Sequence, residues 1–492
     1  MELTHRLAEF VYRTVSSDIP DTAIKHAKDG IRDWIFVTLA GRKIEEQSVK
    51  KIENLFLKKG GNGESSILGS EKLLTENQAA MLNGFTGHIL DYDETCPKVR
   101  SHLFAAIFPA LLAVSEHQRI SGGELLTGFI TGHELSMRIG QAMTPEWIEE
   151  GWHGTSLFGI FGAAAGCAKL MKLDCRETRA ALGIAASMAS GLAINFGSLT
   201  KPFHAGMASE QGLTAAQMAV SGITAKENVL EGELGFYHAC NWGRKFHVEA
   251  FDSIGEPWGL EIPGISAIKL YPCCHGLATN IECGRRIYDK YKPQLEDITE
   301  IEIHSMPKTL CAMLSKTYDD NGEPIQWGYA GPPRRMKTIL PSTGPQGKFS
   351  KEYAFSRALM EGDVRLEHFA DSAVIDPQVK KWMHKIKVYH NSELEGVSNR
   401  YPEETAPHAE RMIVKLKDGR SIVEEEIFIL GMTKRPLSSK DVIPKYYDCG
   451  HAAGLSDEKI DQILSMTDHM EKLENISELM EILTKQDLNN AK

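Results

Sequence analysis

The sequence predicts an α+β protein, with a large all-helical domain built from both chain ends and a smaller α/β lid domain inserted between them. Three observations predict it. Apolar residues recur at helical spacing through the first half of the chain. Strand-like alternation begins only after Pro263, and with it comes a hairpin signal at Asp418-Gly419. Helical spacing then returns from Ser438. The expected division is 1–266 with 432–492 for the helical domain and 267–431 for the lid.

Leu3, Leu7, Phe10, Val11 and Val15 share one helical face, as do Ile24, Ala27, Ile31, Trp34 and Ile35 after Pro20 and Asp21. Gly60-Gly61-Asn62-Gly63 breaks the pattern, and a helix near Glu76 to Asn83 follows. Leu103 to His117 is apolar nearly all round, which predicts a central buried helix. Capping boxes at Ser121/Glu124, Asp174/Glu177 and Thr224/Glu227 each predict a helix start. Between them, 159–168, 180–193 and 205–219 are rich in small residues that let helices approach closely. Gly159, Gly162 and Gly166 lie inside a helical pattern with no strand before them, so they form no dinucleotide or phosphate loop.

Thr299, Ile301 and Ile303 alternate with Glu300, Glu302 and His304, as a half-buried strand should. Lys385 to His390 is similar, and Met412, Val414 and Leu416 alternate up to Asp418-Gly419, where the chain returns through Ile422 and Val423. Ile460, Ile463 and Leu464 belong to a late helix, and a last helix near Ile476 to Leu483 ends in a polar tail.

Composition narrows the function. The 492-residue chain is 42% hydrophobic and 25% charged, near the globular average, with a net charge of −11. With no basic block, nucleic acid is excluded as a partner. No apolar run reaches the ~18–20 residues of a membrane helix. The amphipathic start, MELTHRLAEFVYRTV, lacks the core of a signal peptide. Nine scattered cysteines without a CxxC pair fit reduced thiols and a cytoplasmic location. Cys273-Cys274-His275 are adjacent residues that cannot easily chelate one ion together, and no second pair answers them.

The chemistry gathers in four stretches. Gly87 to Phe104 (GHILDYDETCPKVRSHLF) packs His88, Asp91, Asp93, Glu94, Lys98, Arg100 and His102 directly before the buried helix. Buried charges cost several kcal/mol each unless paired, so such a stretch is either a solvated loop or a cleft where Asp91, Thr95 and His102 do acid–base work. Gly151-Trp152-His153-Gly154-Thr155-Ser156 places a histidine at a helix start, where free N–H groups favour an anion. Thr200-Lys201-Pro202-Phe203-His204 opens another helix, with Lys201 and His204 spaced to face one site. Ile268-Lys269-Leu270-Tyr271-Pro272-Cys273-Cys274-His275 sits where the helical and α/β regions meet. His88, Asp91 and Asp93 are plausible cation ligands, but the lysines and histidines elsewhere repel a metal and attract carboxylates. The expected partner is a small di- or tricarboxylate.

These motifs, in this order, resemble the MmgE/PrpD family, which includes 2-methylcitrate dehydratases, cis-aconitate decarboxylases and an iminodisuccinate epimerase. The resemblance is carried by Asn83-Gly84, His88, Asp91-Tyr92-Asp93-Glu94-Thr95, His102, Gly151-Trp152-His153-Gly154, Lys201-Pro202 with His204, and Lys269-Leu270-Tyr271-Pro272. It implies a homodimer and chemistry free of metal and cofactor. It also implies Asp91, His102, His153, Lys201 and Lys269 as catalytic residues, with Thr95, His204 and His275 binding substrate. The chain departs from the mammalian-type decarboxylase in two places. His102 lies one residue further from Asp91, and Ser305-Met306-Pro307-Lys308-Thr309-Leu310 holds no lid tyrosine. GWHG and KLYPCC are closer to the fungal type.

All three reactions develop charge on a carbon beside a carboxylate and move a proton there. Lysines can stabilise that charge, and a histidine can carry the proton. The expected activity is a hydro-lyase on a 2-methylcitrate-like hydroxy-polycarboxylate. The alternatives are decarboxylation of a cis-aconitate-like acid, epimerisation of an amino- or imino-dicarboxylate, and a non-catalytic binding protein.

Overall fold

The computed structural model describes residues 2–58, 60, 63–148, 150–306, 319, 321–323, 331–337, 340–398, 400 and 408–485. Of the stretches singled out above, Gly61-Asn62, Pro307 to Leu310 and the tail beyond Lys485 lie outside them. The fold is mixed α+β, as the patterning predicts. The chain divides into two compact units. The first comprises Met1–Ala193, Thr200–Ile268 and Ser438–Lys492, and the second Ile194–Leu199 and Lys269–Leu437.

The first unit is a helical assembly: α1 (Leu3–Arg13), α2 (Asp21–Ile44), α3 (Glu46–Lys58), α4 (Glu76–His88), α5 (Leu103–Gln118), α6 (Gly122–Ala142), α7 (Gly154–Leu170), α8 (Cys175–Met188) and α9 (Thr200–Val220). The chain end adds Ser439–Ala452, Asp457–Asp468 and Ser477–Thr484. From Leu103 to Ser115, every residue of α5 is buried, as its all-round apolar pattern demands. Around it α4, α7 and α9 pack at distances that only small residues permit. A Cβ on Gly84 would lie 2.8 Å from Gly206 Cα, and one on Gly132 would lie 2.3 Å from the Gly162 carbonyl oxygen.

Two local features depart from the sequence reading. Ser121/Glu124 and Asp174/Glu177 do cap α6 and α8, but Thr224/Glu227 opens no helix. Gly232 and Gly235 follow within two turns and favour a turn instead, and Glu231 is drawn to the N–H of Thr4 at 3.2 Å. The other is a short antiparallel hairpin, β1 (Ser65–Ile67) with β2 (Ser70–Leu74), which the polar sequence does not signal. It turns at Gly69, whose φ is +69°, and Glu116 of α5 accepts from the Ser66 N–H.

The second unit holds a five-stranded sheet in the order β4 (Arg334–Arg335), β5 (Ile386–His390), β3 (Ile298–Ser305), β6 (Glu410–Leu416), β7 (Ser421–Glu426). β3 runs parallel to β5 and antiparallel to β6, pairing Ile303 with Val388 and with Met412. Asp418-Gly419 makes the β6–β7 turn, with Gly419 at φ +86°. The helices Ala278–Tyr291 and Lys351–Glu361 supply Cys283, Ile287, Phe355 and Leu359 to a core with Ile301, Ile303 and Val414. Among the described residues, no helix is long and apolar enough to cross a membrane.

The close approach of α6 and α7 yields a stability prediction. Gly132→Val should destabilise the protein by at least ~1–3 kcal/mol, the usual cost of overpacking, because the new side chain meets backbone rather than a movable side chain. A urea midpoint equal to that of the unaltered chain would contradict this.

Candidate active site

The first unit gathers the polar stretches into one buried cluster. His88 is the last residue of α4, His102 immediately precedes α5, His153 immediately precedes α7, and Lys201 and His204 sit in the first turns of α9. His88, Asp91, Asp93, Thr95, His153, Lys201 and His204 are all buried, and His102 is nearly so. The solvated-loop reading of residues 87–104 is therefore excluded.

Lys201 is at the centre. Its Nζ lies 3.1 Å from Asp91 Oδ2 and 2.7 Å from His88 Nε2. An ammonium has only hydrogens to offer, so His88 accepts at Nε2 and carries its own proton on Nδ1. That N–H donates to the Asp93 carboxylate at 2.9 Å. Burial holds the His88 ring neutral, its pKa lowered to about 3 against the pull of Asp93. Burial alone would raise the Asp93 carboxyl, yet the two histidines beside it hold it well below the usual carboxylate range.

His102 is the second of those histidines. Its Nδ1 lies 2.8 Å from the Glu94 carbonyl oxygen and 3.1 Å from Asp93 Oδ2. Both neighbours are acceptors, so the proton sits on Nδ1. In the neutral ring Nε2 is then the basic atom, and it lies 3.8 Å from Asp91 Oδ1. Asp93 thus fixes the tautomers of two imidazoles at once. Beside it, the Glu94 carboxyl is raised well above its ordinary pKa, chiefly by burial.

His153 and His204 meet through their Nδ1 atoms at 3.0 Å. One ring donates there and the other accepts, so the accepting ring carries its hydrogen on Nε2. Burial and the Lys201 charge lower both, His204 to about 4 and His153 well below the ordinary histidine value. Thr95 plays a quieter part. Its hydroxyl donates to the Ser101 carbonyl, and its backbone pairs with Ala267.

Five of the residues singled out in the sequence thus lie in one cluster, Asp91, His102, His153, Lys201 and His204, while the partners of the buried Thr95 are Ser101 and Ala267. Lys269 and His275 belong to the second unit. There Lys269 is almost fully buried and donates to the Cys273 carbonyl at 3.0 Å. The sequence presents His88 and Asp93 only as cation ligands, and sequence reasoning misses that they organise the cluster. The signal is the five-residue interval from a helix-ending histidine to an aspartate. With His102, they form the one group among the described residues whose ligand atoms all lie within 4.8 Å of one another, while Cys273-Cys274-His275 forms none.

Comparisons with known proteins identify a family. The family model for the MmgE/PrpD N-terminal domain matches residues 5–249, and that for the MmgE/PrpD C-terminal domain matches 271–469. The cis-aconitate decarboxylase of Mus musculus is 24% identical, covering 98% of this chain and 93% of its own length. The cis-aconitate decarboxylase of Aspergillus terreus is 25% identical, covering 98% and 96%. The cis-aconitate decarboxylase-like protein oryM of Aspergillus oryzae is 24% identical, covering 98% and 97%.

Buried neutral histidines make stability depend on pH in a definite direction. His88 and His133 have folded pKa values of about 3, against the ordinary histidine value of 6.5 that the unfolded chain recovers. Above pH 6.5 their contribution is complete. As pH falls below 6.5 the unfolded chain takes up protons that the folded chain refuses, so stability falls by up to ~1.4 kcal/mol per pH unit for each ring. Asp93, with its lowered pKa, adds a loss only below its unfolded value of 3.8. Urea midpoints should therefore drop steadily from pH 6.5 to 4. A flat profile over that range would contradict the neutral assignment.

Proposed function

The chain belongs to the MmgE/PrpD family, and from that premise we propose that it is a metal-independent lyase moving a proton at a carbon beside a carboxylate of a small di- or tricarboxylate. The observation that carries the reading is the buried Lys201 ammonium set against Asp91 and His88. A buried cation beside neutral, tautomer-fixed imidazoles suits an anion whose charge moves during reaction.

Among the family's reactions, decarboxylation of a cis-aconitate-like acid takes first place, ahead of the hydro-lyase reaction that the sequence suggests. The names of the relatives support this order, and so does the burial of the cluster. A carboxylate that gives up its hydration on entering such a site leaves as neutral carbon dioxide, so desolvation favours the bond breaking. The carbon–carbon bond to that carboxylate breaks, and its electron pair shifts through the neighbouring double bond to the carbon beside a second carboxylate. One proton then adds at that carbon. In this reading Lys201 holds carboxylate charge, and one ring of the His153–His204 pair gives its Nε2–H to the carbon while taking the Nδ1 hydrogen of the other, whose Nε2 takes up a proton from solvent so that both rings stay neutral; His102 Nε2 with Asp91 orients the acid. Lys269, Thr95 and His275 are proposed to bind substrate. Dehydration would use the same groups differently, with His102 as base and the histidine pair as acid to a leaving hydroxyl.

The test is incubation with a panel of polycarboxylates in deuterated water, read by proton NMR with capture of carbon dioxide. Decarboxylation gives one equivalent of carbon dioxide and one deuterium beside a carboxylate. Dehydration gives an alkene and no gas. If no acid is altered and none binds, the lyase reading fails. With the substrate in hand, Lys201→Met should lower turnover by about a hundredfold, and Lys269→Ala should cost the ~1.5–3 kcal/mol of a charge-assisted contact. A chelator should leave the rate unchanged. Because His153 is buried, His153→Gln, which keeps the volume, is a cleaner test of proton transfer than alanine.

A further inference from the structure

The turn that presents Asp91 is held from the far end of the chain. Asp91 has φ +53°, a left-handed backbone that a non-glycine residue adopts only when its surroundings impose it. The turn sends alternate side chains to different partners, Asp91 to Lys201 and Asp93 to His88 and His102. Between them lies Tyr92. The Tyr92 carbonyl accepts from Lys445 Nζ at 2.9 Å, and the same ammonium lies 4.0 Å from the centre of the Tyr92 ring. Lys445 belongs to the helix Ser439–Ala452, and its charge is matched by Asp33 of α2, whose Oδ1 lies 2.5 Å away. Lys445 is 3% exposed and Asp33 is fully buried.

A buried ion pair is no bargain for stability by itself, since apolar residues of similar size usually serve as well. What this pair adds is a charge-assisted grip on one backbone carbonyl. That carbonyl fixes the Tyr92–Asp93 peptide plane, and the plane sets the direction in which each aspartate leaves the turn. We propose that Lys445, with Asp33 as its counter-charge, is a positioning residue that holds the 91–93 turn so that Asp91 reaches Lys201 and Asp93 bridges the two histidines. The consequence for rate rests on the lyase reading above, but the consequence for geometry does not.

The test compares two variants of the full chain. Asp33→Asn/Lys445→Met removes both charges together, so that no buried carboxylate is stranded. Asp33→Asn alone keeps the ammonium on the Tyr92 carbonyl. Nitrogen-15 spectra of histidine-labelled protein report the tautomers of His88 and His102 without any substrate. The double variant should lose the Nδ1–H pattern at both rings, and the single variant should keep it. On the acid that the unaltered enzyme turns over, the double variant should lose on the order of a hundredfold in kcat, the usual cost of a small misplacement, with KM within about threefold. Asp33→Asn, which leaves the ammonium with an amide oxygen in place of the carboxylate, should lose less in kcat than the double variant does. Should the double variant not fold, Asp33→Leu/Lys445→Met, which fills the space with apolar groups, replaces it. A folded variant with both charges gone and an unchanged histidine spectrum and kcat overturns the proposal. An unaltered chain that transforms no acid refutes the lyase reading, and the spectra still decide the positioning role.

Discussion

An ammonium group left 5% exposed has to be paired, and Lys201 meets both Asp91 and His88. Much of the cluster follows from that need. Asp91 must turn toward Lys201, and it does so with a left-handed backbone. His88 must accept at Nε2, so its Nδ1 must donate, and a buried N–H needs an acceptor of its own. Asp93 is that acceptor, and its second oxygen takes His102. One buried charge therefore orders four further side chains, each satisfied by the next. The spacing is set lower down, in the helix packing. His88 closes α4 and Lys201 opens α9, and the two helices approach so closely because Gly84 faces Gly206. A side chain on either glycine would push apart the helices on which the 2.7 Å contact between Lys201 and His88 depends.

Helix starts explain why the cluster forms where it does. His102 precedes α5, His153 precedes α7, and Lys201 lies in the first turn of α9. The first turn of a helix leaves backbone N–H groups without intrahelical partners, and these favour negative charge. Several such ends brought together around the buried α5 make a region that is itself buried and yet receptive to anions. Neutral histidines suit that region, since a protonated ring would add the cost of burying another charge.

How much of this the sequence discloses depends on how local each signal is. α5 is plain from its unbroken apolar run, the β6–β7 turn from Asp418-Gly419, and α6 and α8 from their capping boxes. The third box misleads because a cap is a permission and not a command, and Gly232 and Gly235 downstream outweigh it. His102, His153 and Lys201 are legible because each sits at a helix boundary, where a polar group beside an apolar run stands out. Asp93 is visible only as a ligand type. Its role as a bridge depends on His88 and His102 meeting in space. Lys445 and Asp33 leave no trace at all: a buried lysine within a helix reads in sequence like a solvated one, and its partners lie hundreds of residues away.

A cation at this trio would compete with Lys201 for the His88 ring. His88, Asp93 and His102 are close enough to share an ion, but a metal needs a lone pair from each ring. In the arrangement observed, both Nδ1 atoms face Asp93 and carry the hydrogens. To bind an ion there, His88 would have to move its proton to Nε2, and Nε2 lies 2.7 Å from the Lys201 ammonium. Donor would then face donor, with a dication a few ångströms from an ammonium in a buried region, where Coulomb repulsion is least screened. An ion could enter only if Lys201 gave up its proton or left Asp91. In the arrangement observed, the histidine–aspartate trio serves the lysine.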